Sequence, residues 1–233
     1  MMTAIVVLIV SGALIIGALW GLYGNLSKRL EGFLVALAGG ALLVSALLEL
    51  IYPALEKNSL PIALSTVFVG AITFTVLDYW VKEKWNSQSG GGLLAAITLD
   101  GIPENLALGV SLIGASPLSI AALSGSILLS NLPEAAGGAK EMAENTDSKK
   151  KILWLWIGTA LILSAAALLG HFLLADVPEE YLNYIKCFAG GAVAASLALE
   201  VFPKAFKEDK YWTGLATAIG LVLALYLNTS VSY

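Results

Sequence analysis

Leu99-Asp100-Gly101-Ile102-Pro103-Glu104 and, thirty residues on, Leu129-Ser130-Asn131-Leu132-Pro133-Glu134 are two versions of one pattern. Each lies in an apolar segment long enough to span a bilayer, and each sets a proline directly before a glutamate. Carboxylates in hydrocarbon are costly unless they line a pathway or hold something, so they mark function by default. Asp100 and Glu104 stand at i and i+4, as do Ser130 and Glu134, so each pair projects from one helical face. Proline donates no backbone hydrogen bond, which frees the carbonyls of Leu99 and Leu129 as further oxygen donors. Gly101 allows close backbone approach, and Asn131 adds an amide oxygen. Three carboxylates gathered in one site repel unless a cation or protons neutralise them. An all-oxygen shell suits a hard divalent ion such as Mn²⁺ or Mg²⁺, with Fe²⁺ or Zn²⁺ also compatible. A proton relay or a protonated structural pair is the competing reading.

Composition sets the class. Of 233 residues, 58% are hydrophobic and only 13% charged, with a mean hydropathy of +0.83. A soluble domain carries about a quarter charged residues, so a polytopic, all-α membrane protein is expected, embedded in lipid and with no nucleic-acid partner. One cysteine, Cys187, and one histidine, His171, exclude a disulfide framework and a Cys/His zinc cluster. Apolar runs divided by polar punctuation predict eight transmembrane spans near 4–23, 31–54, 61–81, 93–114, 117–139, 152–174, 181–203 and 212–231. Together they form a single transmembrane domain over 1–233, with 4–23 read as a membrane helix rather than a cleavable signal. Gly90-Gly91-Gly92 reads as a flexible joint in the third loop.

Lysine and arginine gather in the first, third, fifth and seventh loops, including Lys28, Arg29, Lys82, Lys84, Lys140, Lys149–Lys151 and Lys204–Lys210. The other side holds only Lys57 and Lys186. By the positive-inside rule the basic loops are cytoplasmic and both termini extracytoplasmic, in a plasma or inner membrane.

Gly39-Gly40-Ala41 with Ser45 and Glu49 in the second span recurs as Gly190-Gly191-Ala192 with Ser196 and Glu200 in the seventh. Pro53 and Pro203 follow closely. The two copies run in opposite directions, as do spans 4 and 5. A 3+2+3 layout with inverted repeats and proline-broken central helices is the pattern of a secondary transporter. The plainer reading is that Gly-Gly-Ala is a small-residue packing face, which accounts for the glycines but not for the matched glutamates. At 1.5 Å per residue Glu49 falls roughly 10 Å to the outer side of the midplane and Glu200 roughly 12 Å to the inner side. Both are then pathway carboxylates on either side of a central site. Capping or bonding of neighbouring helices is the alternative for this pair.

Leu99 to Gly109, Ser130 to Glu134 and Glu200-Val201-Phe202-Pro203 resemble the fourth-, fifth- and seventh-helix motifs of the ZIP (Zrt/Irt-like) family of divalent metal transporters. The resemblance implies a ZIP-like fold over the whole chain and uptake of a divalent metal (Zn, Mn or Fe class) into the cytosol. Spans 1, 4, 5 and 6 would move as an elevator against 2, 3, 7 and 8. It places metal on Asp100, Gly101, Glu104, Ser130, Asn131 and Glu134, the ion being substrate rather than cofactor. Asp100 stands where the family usually has His and Gly101 where it has Asn. Span 6 carries no acidic residue for a second ion, and the 82–92 loop has no histidine. A hard carboxylate in place of imidazole moves the expected preference from zinc toward harder ions. A homodimer is left open.

The remaining polar residues read plainly. His171 is expected to pack or sit at the interface, and Asp78 to be interfacial. Trp80, Trp85, Trp154, Trp156 and Trp212 are expected in the inner aromatic belt, and Cys187 as apolar filler. Glu141, Glu144 and Asp147 read as a solvated loop before a release site. No enzyme is expected, since Ser130 lacks a base other than carboxylates and His171 is remote from the motifs. A ZIP-fold carrier of a non-metal solute and an intramembrane enzyme are the alternatives.

Overall fold

The computed structural model describes residues 2–84, 90–115, 120–145 and 148–231. All regular structure among them is helical, in eight rods. These are α1 (Met2–Tyr23), α2 (Lys28–Lys57), α3 (Leu60–Lys84), α4 (Gly90–Ser111), α5 (Ala121–Asn145), α6 (Lys149–Leu173), α7 (Glu179–Glu208) and α8 (Thr213–Val231). They coincide with the eight expected segments to within a few residues at most ends. Gly90-Gly91-Gly92, expected as a joint, forms the first turn of α4 instead. Trp85, Asp147 and Ser116-Pro117 lie outside the described residues.

Six rods (α1, α2, α3, α6, α7 and α8) are long and apolar enough to cross a membrane. The chain is accordingly a multi-pass membrane protein. The polar motifs sit on α4 and α5, which fall outside that set among the described residues. Both are packed against neighbouring helices, where polar groups are sheltered from lipid. The outer faces carry the large apolar side chains, with Leu8, Phe68, Phe172 and Val222 each more than 60% exposed. Such a surface matches hydrocarbon and would be untenable in water.

The helices pair in a set pattern. Helix α2 lies along α8, α3 along α7, α1 along α5 and α4 along α6. Glycines set the spacing. A Cβ on Gly40 or Gly191 would run into the backbone carbonyl of Thr217 or Val67 respectively. The Gly-Gly-Ala segments are therefore packing faces, as the plainer reading had it, and the glutamates beside them need their own account. If the second and seventh segments are equivalent, so are the pairs α2/α8 and α7/α3, and likewise α1/α5 and α6/α4.

The proline effect falls elsewhere than expected. Helices α4 and α5 run as unbroken α-helix through Pro103 and Pro133. The regular geometry is lost in α2 and α7 instead, at π-helical segments Ala46–Ile51 and Leu197–Val201. There Tyr52 N–H donates to Leu47 O and Phe202 N–H to Leu197 O, one residue farther back than in an α-helix. A wide turn accommodates the ring of Pro53 or Pro203 and its missing donor. Glu49 and Glu200 sit on these two segments.

Core clusters divide unevenly along the membrane normal. In the half remote from the basic loops, Val10, Leu42, Leu108, Leu123, Ala167 and Val193 belong to one cluster drawn from six helices. Toward the lysine-rich end, α1, α4, α5 and α6 keep a cluster with Leu14, Ile97, Ala139 and Trp156. A separate one joins α2, α7 and α8 through Val35, Ala36, Ala205 and Ala216. Helices of both sets thus share an apolar core at one end, while at the other their apolar clusters are separate, with a polar seam between them.

Candidate functional site

That seam holds a cavity of about 70 Å³, walled by Val35, Ile97, Asp100, Ser130, Glu134, Glu200, Val201 and Lys204. A water needs about 10–15 Å³ by the same measure, so an ion with a few waters fits. Asp100 comes from α4, Ser130 and Glu134 from α5, and Glu200 and Lys204 from α7. Three of the six expected site residues and one of the two pathway glutamates therefore meet at one place, between the helix groups. Asp100 lies in electrostatic reach of Glu134, Glu200, Glu104 and Asp78.

The other expected residues are near but not part of this wall. Glu104 is buried and feels the charge of Glu134. Asn131 is buried and donates from Nδ2 to the Val10 carbonyl of α1 at 3.0 Å, so its amide nitrogen ties α5 to α1. A Cβ at Gly101 would stand 2.5 Å from Leu163 Cδ1 of α6. The Gly101 carbonyl accepts from Asn105 Nδ2 at 2.9 Å. Gly101 therefore serves helix packing in this conformation, and Asn105, 1% exposed, holds the local backbone. Among the described residues no three His, Cys, Asp or Glu side chains stand close enough to grip one ion together. Like charges in a low-dielectric cavity keep apart.

Glu49 lies on the far side of the dry core, facing α5 near Leu123. Its Oε1 is buried with no hydrogen-bond partner among the described residues. Beside it Ser45 Oγ and Ser126 Oγ are 2.9 Å apart, a direct tie between α2 and α5.

Several residues have roles their sequence did not disclose. Asp78, expected at the interface, is buried; Lys82 pairs with it at 3.0 Å and also with Glu200. Trp156, expected in the belt, is fully buried among α1, α4, α5 and α6 because Gly138 leaves room for its ring. Trp80, Trp154 and Trp212 are exposed. His171 Nε2 lies 3.1 Å from Thr3 Oγ1, joining α6 to α1. Lys204, expected in a loop, stays helical because α7 continues to Glu208 after Pro203. Its spacing of i+4 from Glu200 was the available signal that both share a face.

No family model matches this chain, and no curated protein matches it.

Proposed function

We propose that this protein is a membrane carrier of a divalent metal cation of the Zn/Mn/Fe class, moving it into the cytosol by alternating access. The observation that carries this reading is the carboxylate cavity between helices α4, α5 and α7; the inverted repeat that would relate the two helix groups is part of the proposal. Oxygen donors from α4, α5 and α7 line the cavity, and the carboxylates would draw in around an arriving cation; a shared apolar core lies at the other end of the helices. A cation bound among Asp100, Glu134, Glu200 and Ser130, with Glu104 adding its field, would be handed across as one helix group shifts against the other. The 3+2+3 eight-span topology, the ZIP-like fold, the elevator motion and extracytoplasmic termini belong to the same proposal. So does residence in the plasma or inner membrane.

The test is uptake into liposomes reconstituted with purified protein, using a panel of Mn²⁺, Fe²⁺, Zn²⁺ and Mg²⁺ with an internal indicator dye. Uptake of at least one ion, lost in Glu134→Gln, is the expected result. Uptake of none overturns the reading. A second reading, a carrier of a non-metal solute on the same fold, is favoured by one specific observation. The cavity presents an ammonium, Lys204, as well as carboxylates, a lining that also suits a polar solute carrying both charges.

A further inference from the structure

Beyond the carboxylate cavity, toward the lysine-rich end, lies a second cavity of about 150 Å³, whose wall includes Lys28, Glu31, Gly137, Lys140 and Lys204. Lys204 lines both cavities, so its side chain lies between them. Its Nζ lies 3.4 Å from Glu31 Oε1 on α2, and its charge reaches Glu134. A Cβ on Gly137 of α5 would stand 3.1 Å from the same ammonium and would collide with Glu31 Oε1. The ion pair from α2 and α7 is therefore seated on α5, one helical turn from Glu134, across the seam. Two of the neighbouring ammoniums are held by other partners: Lys140 Nζ donates to the Leu26 carbonyl at 2.9 Å, and Lys28 faces Glu208 at 4.0 Å. Lys207 lines the same cavity, with Glu141, Glu144 and Glu208.

We propose that Lys204 is a tethered counter-ion that occupies the mouth of the carboxylate cavity and filters cations by charge. This rests on reading the cavity as a cation pathway. An ammonium on a short stem acts at an effective concentration of millimolar or more. A monovalent ion of equal charge must displace a competitor already in reach. A divalent ion gains twice the Coulomb attraction from the same carboxylates and displaces it. Glu31, which already pairs with the ammonium at 3.4 Å, keeps it neutralised while the ion passes.

The test uses purified full-length protein in which Cys187→Ser removes the native thiol and Ser130→Cys reports from the cavity wall. Reaction rates are measured with a cationic and a neutral thiol reagent of equal size. Lys204→Met keeps the stem and removes the charge. It should raise the cationic rate about tenfold, as local potentials do for steered encounters, and leave the neutral rate within about twofold. Lys204→Arg should stay near the parent, and Lys204→Gln replaces the Met variant if that one fails to fold. Equal changes with both reagents, or none with either, overturn the proposal, since a structural role would not distinguish charge.

Mn²⁺ calorimetry separates this idea from the functional reading. With the native cavity residues intact, Lys204→Met should bind Mn²⁺ about tenfold tighter and become sensitive to added K⁺. If neither protein binds Mn²⁺ but the reagent pattern holds, the metal reading falls and the filter stands. If both bind Mn²⁺ equally and both reagents behave alike, the filter falls and the cation reading stands.

Discussion

A carboxylate at a cavity wall acts through its charge, and its amide replacement keeps shape while removing that charge. Glu134→Gln should therefore lower ion uptake by at least about tenfold, while thermal unfolding of the purified variant stays close to the parent. An equal loss of uptake and stability would point to a structural role. Asp100 offers a sharper test of ligand chemistry. Asp100→His exchanges a hard oxygen for a borderline nitrogen, so the ratio of zinc to manganese affinity should rise by about tenfold, read by competition titration. An unchanged ratio would remove Asp100 from the ion's shell. Asp100 and Glu134 were visible as candidates because a carboxylate in an apolar run is conspicuous. Lys204 and Glu31 were not, since lysine and glutamate at a helix end read as solvated charge. Only the continuation of α7 past Pro203 and the small profile of Gly137 bring these two against the cavity.

At the scale of helices, glycine contacts decide how closely the rods approach. Gly191→Ala places a methyl in collision with the Val67 carbonyl of α3, and overpacking of this kind costs typically 1–3 kcal/mol. Gly158 on α6 has nothing within 4 Å of a new Cβ, so Gly158→Ala should stabilise by roughly 0.5–1 kcal/mol through helix propensity alone. Opposite shifts of the thermal unfolding midpoint, followed by tryptophan fluorescence, are the expected result. Similar shifts would mean that α3 and α7 do not meet at Gly191. The same scale holds the clearest departure from sequence expectation. Prolines were expected to break α4 and α5, where the polar motifs draw attention. The π-turns occur instead in α2 and α7, before Pro53 and Pro203. A proline specifies a missing donor and a steric clash; whether the helix bends, widens or continues depends on the neighbours that satisfy the freed carbonyl.

For the molecule as a whole, alternating access requires that the sealed end part. Ser45 and Ser126 tie α2 to α5 there at 2.9 Å. In a Cys187→Ser background, Ser45→Cys with Ser126→Cys should form a disulfide under oxidant, stop uptake and recover it on reduction. Full uptake by the cross-linked protein would exclude parting at this end. Topology has its own measurement. If the basic loops are cytoplasmic, as proposed from the positive-inside rule, externally added impermeant reagent should label Ser59→Cys and not Lys149→Cys. The reverse pattern would invert the transport direction.

Much at this scale was legible in the chain itself. Length and apolarity of each segment dictate helices, since backbone groups in hydrocarbon must be satisfied internally. The paired Gly-Gly-Ala…Ser…Glu segments announce a repeat, and both copies adopt the same α–π–α course. Polar side chains within apolar runs mark Asp100, Ser130, Glu134 and Glu200 as candidates, and the fold brings these four to one cavity. Sequence carries no record of which face of one helix meets which face of another. That is settled by close packing, where one methyl decides contact or clash. Tertiary structure therefore decided that Gly101 packs against Leu163, that Trp156 is core, and that Asp78 is buried beside Lys82. It also decided that the shared apolar core lies at one end of the seam and that Lys204 lines both cavities toward the other.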